Sequence, residues 1–199
     1  MAEIFEENDG DNKFPNSRLS KTNFLTSVRD FAPDGILLGI ERISKVFPSA
    51  QDPKKAQITA ETVIMGDMEK CRLFELDDSG EYIMIKDELT GNESRKMVLE
   101  PVKGDDLVSF PIFFPCGYPE KIDNEAELKF YPTSSAYPLF KLALQKAGEL
   151  PEDMGSKPFK TTQEELKECL EGFTFIGKCE EIKGKFNYMR LAVEPVKEE

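Results

Sequence analysis

The last predicted hairpin of the sequence carries aromatic and basic side chains close together, and these are the residue types best suited to bind a ligand. In a strand over residues 185–193, successive side chains point to opposite faces, and the apolar positions from residue 189 onward should face a core. Phe186, Tyr188 and Arg190 then share the other face. Aromatic rings stack on nucleobases, and a guanidinium pairs with phosphate or stacks. The pattern predicts a platform for single-stranded nucleic acid; the alternative is that the rings pack beneath a helix or the N-terminal segment.

Two basic segments accompany this pattern in a chain that is acidic overall. Residues 172–190 carry four basic and two acidic side chains, and residues 42–57 carry four basic side chains and one acidic side chain. The second segment has an aromatic residue, Phe47, in its middle, which is typical of the flexible edge of a single-strand groove. The alternative interpretation of this segment is a solvated loop beside a strand. The predicted nucleic-acid contacts are Phe186, Tyr188, Arg190, Lys185, Lys178, Arg42, Lys45, Phe47, Lys54 and Lys55.

The N-terminal segment is strongly acidic. The 199 residues include 26 Lys and Arg against 38 Asp and Glu, which gives a net charge of -12. Five of the acidic residues and no basic residue lie within residues 1–12. Because polar segments of like charge bury too little apolar surface to fold, we expect residues 1–30 to be a disordered or loosely docked arm. Residues 1–12 could cover the basic groove or recruit a basic partner protein; a solvated tail is the simpler alternative.

Several enzyme classes are excluded by residue types and motifs that the chain lacks. It has no His, so a Ser-His-Asp triad, a Cys-His pair and every metal site that needs imidazole are ruled out. The glycine-rich phosphate motifs and the serine-hydrolase elbow are missing as well. Adjacent carboxylates could hold the metal of a nuclease, but such pairs in turns are usually solvated; they are Asp77-Asp78, Asp105-Asp106 and Glu180-Glu181. We therefore expect a protein that is not an enzyme and uses no cofactor or metal.

Cysteine spacing and hydropathy indicate where such a protein would work. No two of Cys71, Cys116, Cys169 and Cys179 have the C-x-x-C spacing of a zinc ribbon or a thioredoxin-type site. The first residues lack the basic and apolar stretches of a secretory signal, so we expect free thiols in the reducing cytoplasm. A run of roughly 18 apolar residues, which a membrane helix needs, is also missing. The sequence predicts no membrane partner.

Hydrophobic periodicity predicts many strands followed by two helices and a final hairpin. Strands are expected at 35–47, with a bend at Gly39, and at 57–65, 71–76, 82–86, 97–102, 107–114 and 126–131. A helix near 135–147 would be capped by Ser134 or Ser135, and a helix near 162–171 by a box of Thr162 and Glu165. The last hairpin joins 173–182 to 185–193. This order favours a mainly β, α+β fold: one OB-like antiparallel barrel over residues 31–199, with inserted helices and extra hairpins.

Residues 134–195 resemble the C-terminal part of single-stranded DNA-binding OB-fold proteins of phages and archaeal viruses. The resemblance lies in the helix Tyr-Pro-Leu-Phe-Lys-Leu-Ala-Leu at 137–144, in Leu-Glu-Gly at 170–172 and in Gly-Lys at 177–178. A hairpin with an aromatic residue near its turn follows these motifs. The resemblance implies single-strand binding through the barrel face during DNA replication, with Phe186, Tyr188 and Arg190 as the platform. Residues 35–131 depart from the pattern because they contain more strands than an OB barrel needs.

Two functional hypotheses follow from these observations. The first is non-enzymatic binding of single-stranded nucleic acid with low sequence specificity, DNA being favoured over RNA. The second is a protein-interaction or assembly module, such as a structural protein of a phage-like particle, in which the same aromatic residues contact a protein. Salt distinguishes the two, because phosphate contacts lose affinity steeply as salt rises and an apolar interface does not.

Overall fold

Strands make up most of the regular structure in this computed structural model, which describes residues 19, 21–66, 70–79, 81–98, 109–184 and 187–196. Three helices accompany ten strands in these residues. The helices are α1 (Lys21–Phe31), α2 (Tyr137–Lys146) and α3 (Gln163–Leu170). The strands are β1 (Ile36–Ile43), β2 (Phe47–Pro48), β3 (Ala56–Ile64), β4 (Met84–Lys86), β5 (Glu93–Arg95), β6 (Ser109–Pro115), β7 (Leu128–Phe130), β8 (Phe159–Thr161), β9 (Thr174–Ile182) and β10 (Tyr188–Glu194).

The main sheet is antiparallel throughout and has the strand order β6-β3-β1-β9-β10. The short β2 pairs with the first residues of β3 and continues the line of β1. Two further pairs, β4 with β5 and β7 with β8, stand outside this sheet. The prediction of a mainly β, α+β fold is therefore confirmed. Among the described residues β6 and β10 do not pair with each other, so the sheet is not closed and the predicted OB-like barrel is not confirmed.

Alternation along β3 and β6 gives the main sheet a buried and a solvent-facing side. Ile58, Ala60 and Thr62 of β3 are fully buried, whereas Thr59 and Glu61 between them are only partly covered. The neighbouring β6 repeats this pattern, and residues directly opposite each other in antiparallel strands share a face. We call the side of the main sheet that carries Thr59 and Glu61 the outer face.

The bend in β1 lies two residues beyond the position that the sequence suggests. Its register with β3 shifts between Ile40 and Arg42, which places a bulge at Glu41 rather than at Gly39. Gly39 is needed for a different reason. A Cβ atom there would lie 2.5 Å from the Sδ of Met65, which crosses over it. The glycine therefore permits a close approach of side chain to backbone.

Helix α1 corrects the prediction that residues 1–30 form a loosely held arm. Phe24 and Val28 are completely buried, and the Phe24 ring stacks on Phe110 of β6 with centroids 4.4 Å apart. The helix packs chiefly over β9 and also contacts β6 and β10. Its apolar residues recur at helical spacing, which is how a short polar segment can still bury one side. Residues 1–18, which include the acidic segment, lie outside the described residues.

The two helices near 135–147 and 162–171 are present as α2 and α3. Phe140 of α2 packs edge-on against Phe114 of β6 and Phe130 of β7, at centroid distances of 4.9 and 5.0 Å. The cap of α2 differs from the prediction, because its N-cap is Ala136 and no side chain caps it. In α3 the predicted capping box is confirmed: Thr162 accepts from the amide of Glu165, whose carboxylate accepts from the amide of Thr162.

Removal of this cap gives a first test of the fold. The variant Thr162→Ala should lower the free energy of unfolding by about 0.5–2 kcal/mol, because it leaves a helix-terminal amide without its acceptor. Urea denaturation followed by circular dichroism measures the change. Thr133→Ala, at an exposed loop position, is the control and should change stability by less than about 0.5 kcal/mol.

The same cap should contribute to the pH dependence of stability. Hydrogen bonds from the Thr161 side chain and from Thr162 hold the pKa of Glu165 below its usual range. A depressed carboxyl pKa in the folded state stabilises the protein above the unfolded pKa of about 4.3, and this stabilisation is lost as pH falls through the folded pKa. The stability deficit of Glu165→Ala at pH 7 should therefore shrink in acid. A deficit that is independent of pH would contradict this role.

Candidate nucleic-acid interface

Two exposed aromatic rings lie on the outer face, near its opposite ends. Phe113 of β6 stands opposite Thr59, and its side chain is 52% exposed. Tyr188 of β10 stands opposite Ile182 of β9 and is 56% exposed. Cross-strand pairs link the two positions: Val63 of β3 stands opposite Gly39 of β1, and Gly39 stands opposite Thr174 of β9. One continuous surface therefore carries both rings.

Phe113 was not identified from the sequence, although a signal for it exists. The residues Phe110, Ile112 and Phe114 of β6 are buried, and the period of two along the strand turns Phe113 the other way. An aromatic ring at an outward position of an otherwise regular strand has no core to fill. This exposed ring is one residue of the surface that sequence reasoning missed.

The residues on both sides of β2 add cations beside the Phe113 end of the surface. Phe47 is partly buried and stands opposite Gln57, which in turn stands opposite Pro115 of β6. Lys45 and Lys54 are exposed and Lys55 is partly covered. In the described part of the chain none of these three lysines forms an ion pair, so their ammonium groups can accept a new anionic partner. This corner thus combines two aromatic rings with available positive charge.

Asp52 gives the β2–β3 connection a defined conformation. Its side chain accepts a hydrogen bond from the amide of Lys54 at 3.1 Å, and its carbonyl accepts from the amide of Lys55 at 2.9 Å. The hydroxyl of Tyr118 donates to the other carboxylate oxygen at 2.9 Å, and this bond raises the pKa of Tyr118. Tyr118 is 68% exposed and is therefore a third accessible ring at this corner, also absent from the sequence-based set.

Three of the predicted cations on the outer face have carboxylate partners. The guanidinium of Arg190 donates to Glu180 at 2.8 Å, and Lys178 pairs with Glu194 at 2.9 Å. Arg42, at the bulge of β1, pairs with Glu61 at 3.3 Å. These pairs are partly exposed, so each contributes little to stability and can be exchanged for phosphate. Of the predicted contacts, Phe186 and Lys185 lie outside the described residues.

The predicted alternation of the last hairpin is confirmed where it can be followed. Leu191 is buried and Met189 and Val193 pack against the core, whereas Tyr188 and Arg190 point to solvent. No helix of the described residues covers Tyr188, which is 56% exposed, so this part of the alternative is wrong. Phe186 and the N-terminal segment, the other parts of that alternative, lie outside the described residues. Cross-strand pairing with β9 holds these side chains in register over the full length of β10.

A polar groove of about 510 Å³ extends the outer face from the β1 bulge to α3. Its floor is fixed by two hydrogen bonds, from the Ile43 amide to Glu171 and from the Gln163 side chain to the carbonyl of Ser44, both at 3.1 Å. Three cations and three carboxylates line it, so its net formal charge is zero; they are Arg42, Lys45, Lys167, Glu41, Glu61 and Glu171. Because its formal charges cancel, the groove offers hydrogen-bond donors and acceptors but no net positive potential that would attract an anion.

Other candidate chemistry is weak in the described residues. There, no group of three or more His, Cys, Asp or Glu side chains could hold a metal ion. All four cysteines are free thiols, and burial raises the pKa of the Cys116 thiol to about 12, so it is not a nucleophile at neutral pH. None of the helices in the same residues is both long and apolar enough to span a membrane.

Comparison of the chain with models of protein families, with curated protein sequences and with solved structures finds no match.

Proposed function

We propose that the protein binds single-stranded nucleic acid on the outer face without catalysing a reaction. The observation that carries this proposal is the placement of Phe113 and Tyr188 as exposed rings on one sheet surface. Beside Phe113 stand lysines that form no ion pair with any described residue. Stacking on aromatic rings tolerates any base, so the proposal includes low sequence specificity. DNA is favoured over RNA through the resemblance of residues 134–195 to viral single-stranded DNA-binding proteins.

The order of the long strands supports an OB-like arrangement of this site. In chain order they are β1, β3, β6, β9 and β10, and the helices α2 and α3 fall between the third and fourth. OB-folds bind oligonucleotides on the face of strands two and three and on the loops that join strands one to two and four to five. The corresponding positions here carry Phe113, the lysines of residues 44–55 and the turn of the last hairpin.

The dimensions of the surface fit a short single strand. A line drawn across the outer face from Phe113 to Tyr188 runs along two strands. It follows β3 for four residues, from Thr59 to Val63, and then β9 for eight residues, from Thr174 to Ile182. At about 3.3 Å per residue, these twelve steps amount to roughly 40 Å along the strand direction. Site sizes of about 4–16 nucleotides are usual for one OB-fold. A strand lying across the outer face could therefore contact both rings.

Fluorescence anisotropy of a dye-labelled oligo-dT tests the proposal directly. The oligonucleotide should have about 20 nucleotides, longer than the usual site size of about 4–16. We expect saturable binding at low salt that weakens as salt rises, and much weaker binding to a duplex of equal length. Oligo-rU of equal length tests the preference for DNA. Absence of binding at low salt would overturn the proposal.

The lysines of the β2–β3 connection should set part of the salt dependence. In the double variant Lys54→Gln, Lys55→Gln, the slope of log affinity against log salt should become shallower by about 1.4, because each lost single-strand phosphate contact removes about 0.7. The matched control is Lys86→Gln with Lys157→Gln, two exposed lysines in β4 and in the loop after α2. An equal change of slope in both double variants would show that only net charge matters.

A protein partner is the second candidate, and the ion pairs of the outer face favour it. Arg42, Lys178 and Arg190 each pair with a carboxylate of the same chain. Such a surface suits a protein interface of mixed polarity better than it suits a groove that binds the phosphates of a nucleic-acid backbone. Phe113 and Met65 would then be apolar anchors, since both are more than half exposed. Failure to bind oligo-dT at low salt would favour this function.

A further inference from the structure

The two edges of the main sheet differ in their capacity to accept another strand. At one edge, β6 contains Pro111 and Pro115, which stand opposite Glu61 and Gln57 of β3. Proline has no amide hydrogen, so the nitrogens at these positions must face away from β3 and leave gaps in the row of donors on the free edge. Prolines on an edge strand prevent strand addition. The β6 edge is therefore blocked.

The opposite edge strand, β10, has no such protection. It pairs with β9 over all seven of its residues, contains no proline, and pairs with no other strand of the described residues. Helices α1 and α2 both contact β10, but in the described residues no backbone hydrogen bond joins either helix to this strand. A regular seven-residue strand with a free row of amides and carbonyls is a template for antiparallel pairing.

We infer that β10 pairs antiparallel with β10 of a second copy of this chain, with Ala192 at the two-fold axis. This register places Arg190 of each copy opposite Glu194 of the other, and Leu191 opposite Val193. Opposite charges that face each other across antiparallel strands are favourable, and each occurs twice because the interface is symmetric. The small Ala192 side chain allows the two copies to approach at the axis.

The existing ion pairs reinforce this register. Arg190 already contacts Glu180, and Glu194 already contacts Lys178. Dimerisation would join these two pairs, so that charges of alternating sign run from Glu180 through Arg190 of one copy to Glu194 and Lys178 of the other. An axis at residue 190 or 194 would instead place a charged side chain opposite its own copy, which is unfavourable. An axis at residue 191 or 193 would place Ala192 opposite Arg190 or Glu194 and would form no ion pair between Arg190 and Glu194. The charge pattern therefore selects Ala192.

The dimer would join the outer faces of the two copies into one surface, with the Tyr188 rings on both sides of the axis. The inference stands apart from nucleic-acid binding and depends only on the β10 edge.

Sedimentation equilibrium of the full-length protein tests the dimer without any ligand. The wild-type protein should reach twice the chain mass of 22.6 kDa. Ala192→Arg and Ala192→Glu should each remain monomeric at concentrations where the wild type is dimeric, because like charges meet at the axis. An equimolar mixture of the two variants should recover the dimer. The control Ala147→Arg, at an exposed position after α2, should dimerise as the wild type does.

Two results would overturn the inference. One is a monomeric wild-type protein at its highest soluble concentration, and the other is a dimer that persists in both Ala192 variants. Thermal melting shows whether each variant folds.

Discussion

Replacing Phe113 and Tyr188 together by alanine should weaken oligo-dT binding by about 2–6 kcal/mol, because each stacked base contributes about 1–3 kcal/mol. This loss corresponds to a fall in affinity of roughly thirty-fold to more than ten-thousand-fold. The single variants should each lose about half of the free energy if the rings stack on different bases. Anisotropy titrations at one fixed salt concentration measure all three variants against the wild-type protein.

Folding should survive these changes, since both rings are more than half exposed and neither belongs to the core. The matched control is Tyr131→Ala, which removes a ring that is 55% exposed but follows β7, outside the main sheet. Its affinity should equal that of the wild type. Unchanged binding by the double variant would contradict the platform, and equal weakening by Tyr131→Ala would show that the rings have no special position.

The second large effect is expected in α1. Phe24→Ala should lower the free energy of unfolding by about 3–5 kcal/mol, the usual cost of deleting a buried aromatic ring. Phe24 is completely buried and stacks on Phe110, so its removal opens a cavity between α1 and β6. Urea denaturation of the full-length protein measures this loss.

Thr22→Ala provides the control for Phe24→Ala within the same helix. The Thr22 side chain is exposed, so the substitution should change stability by less than about 0.5 kcal/mol. A Phe24→Ala protein as stable as the wild type would show that α1 is a detachable arm after all. A large loss would establish that the folded unit begins before residue 24, upstream of the boundary that composition suggests.

Local patterns account for the parts of the fold that sequence could predict. The period of two in β3, β9 and β10 follows from the geometry of a strand, and so do the outward direction of Tyr188 and the buried position of Leu191. Thr162 and Glu165 meet because they are three residues apart at a helix start. The same reasoning could have revealed Phe113, because the period continues through β6.

Long-range pairing accounts for what could not be predicted. Residues 21–31 look polar on average, and the burial of Phe24 depends on packing against distant strands, which includes the stacking of its ring on Phe110. The partners of Arg190 and Lys178 depend on the register between β9 and β10, which a single shifted residue would change. For this reason the sequence suggested free cations where the structure has ion pairs.

The sequence by itself determined the chemistry that is impossible and the local geometry that is favoured. A chain without His has no imidazole chemistry, and within any strand that forms, alternating residues point to its two sides. Only the tertiary structure decided which side chains share the outer face, which cations keep their charge available, and which sheet edge stays open. These properties depend on contacts between residues far apart in the chain, and such contacts are fixed by the packing of the whole core rather than by any one segment.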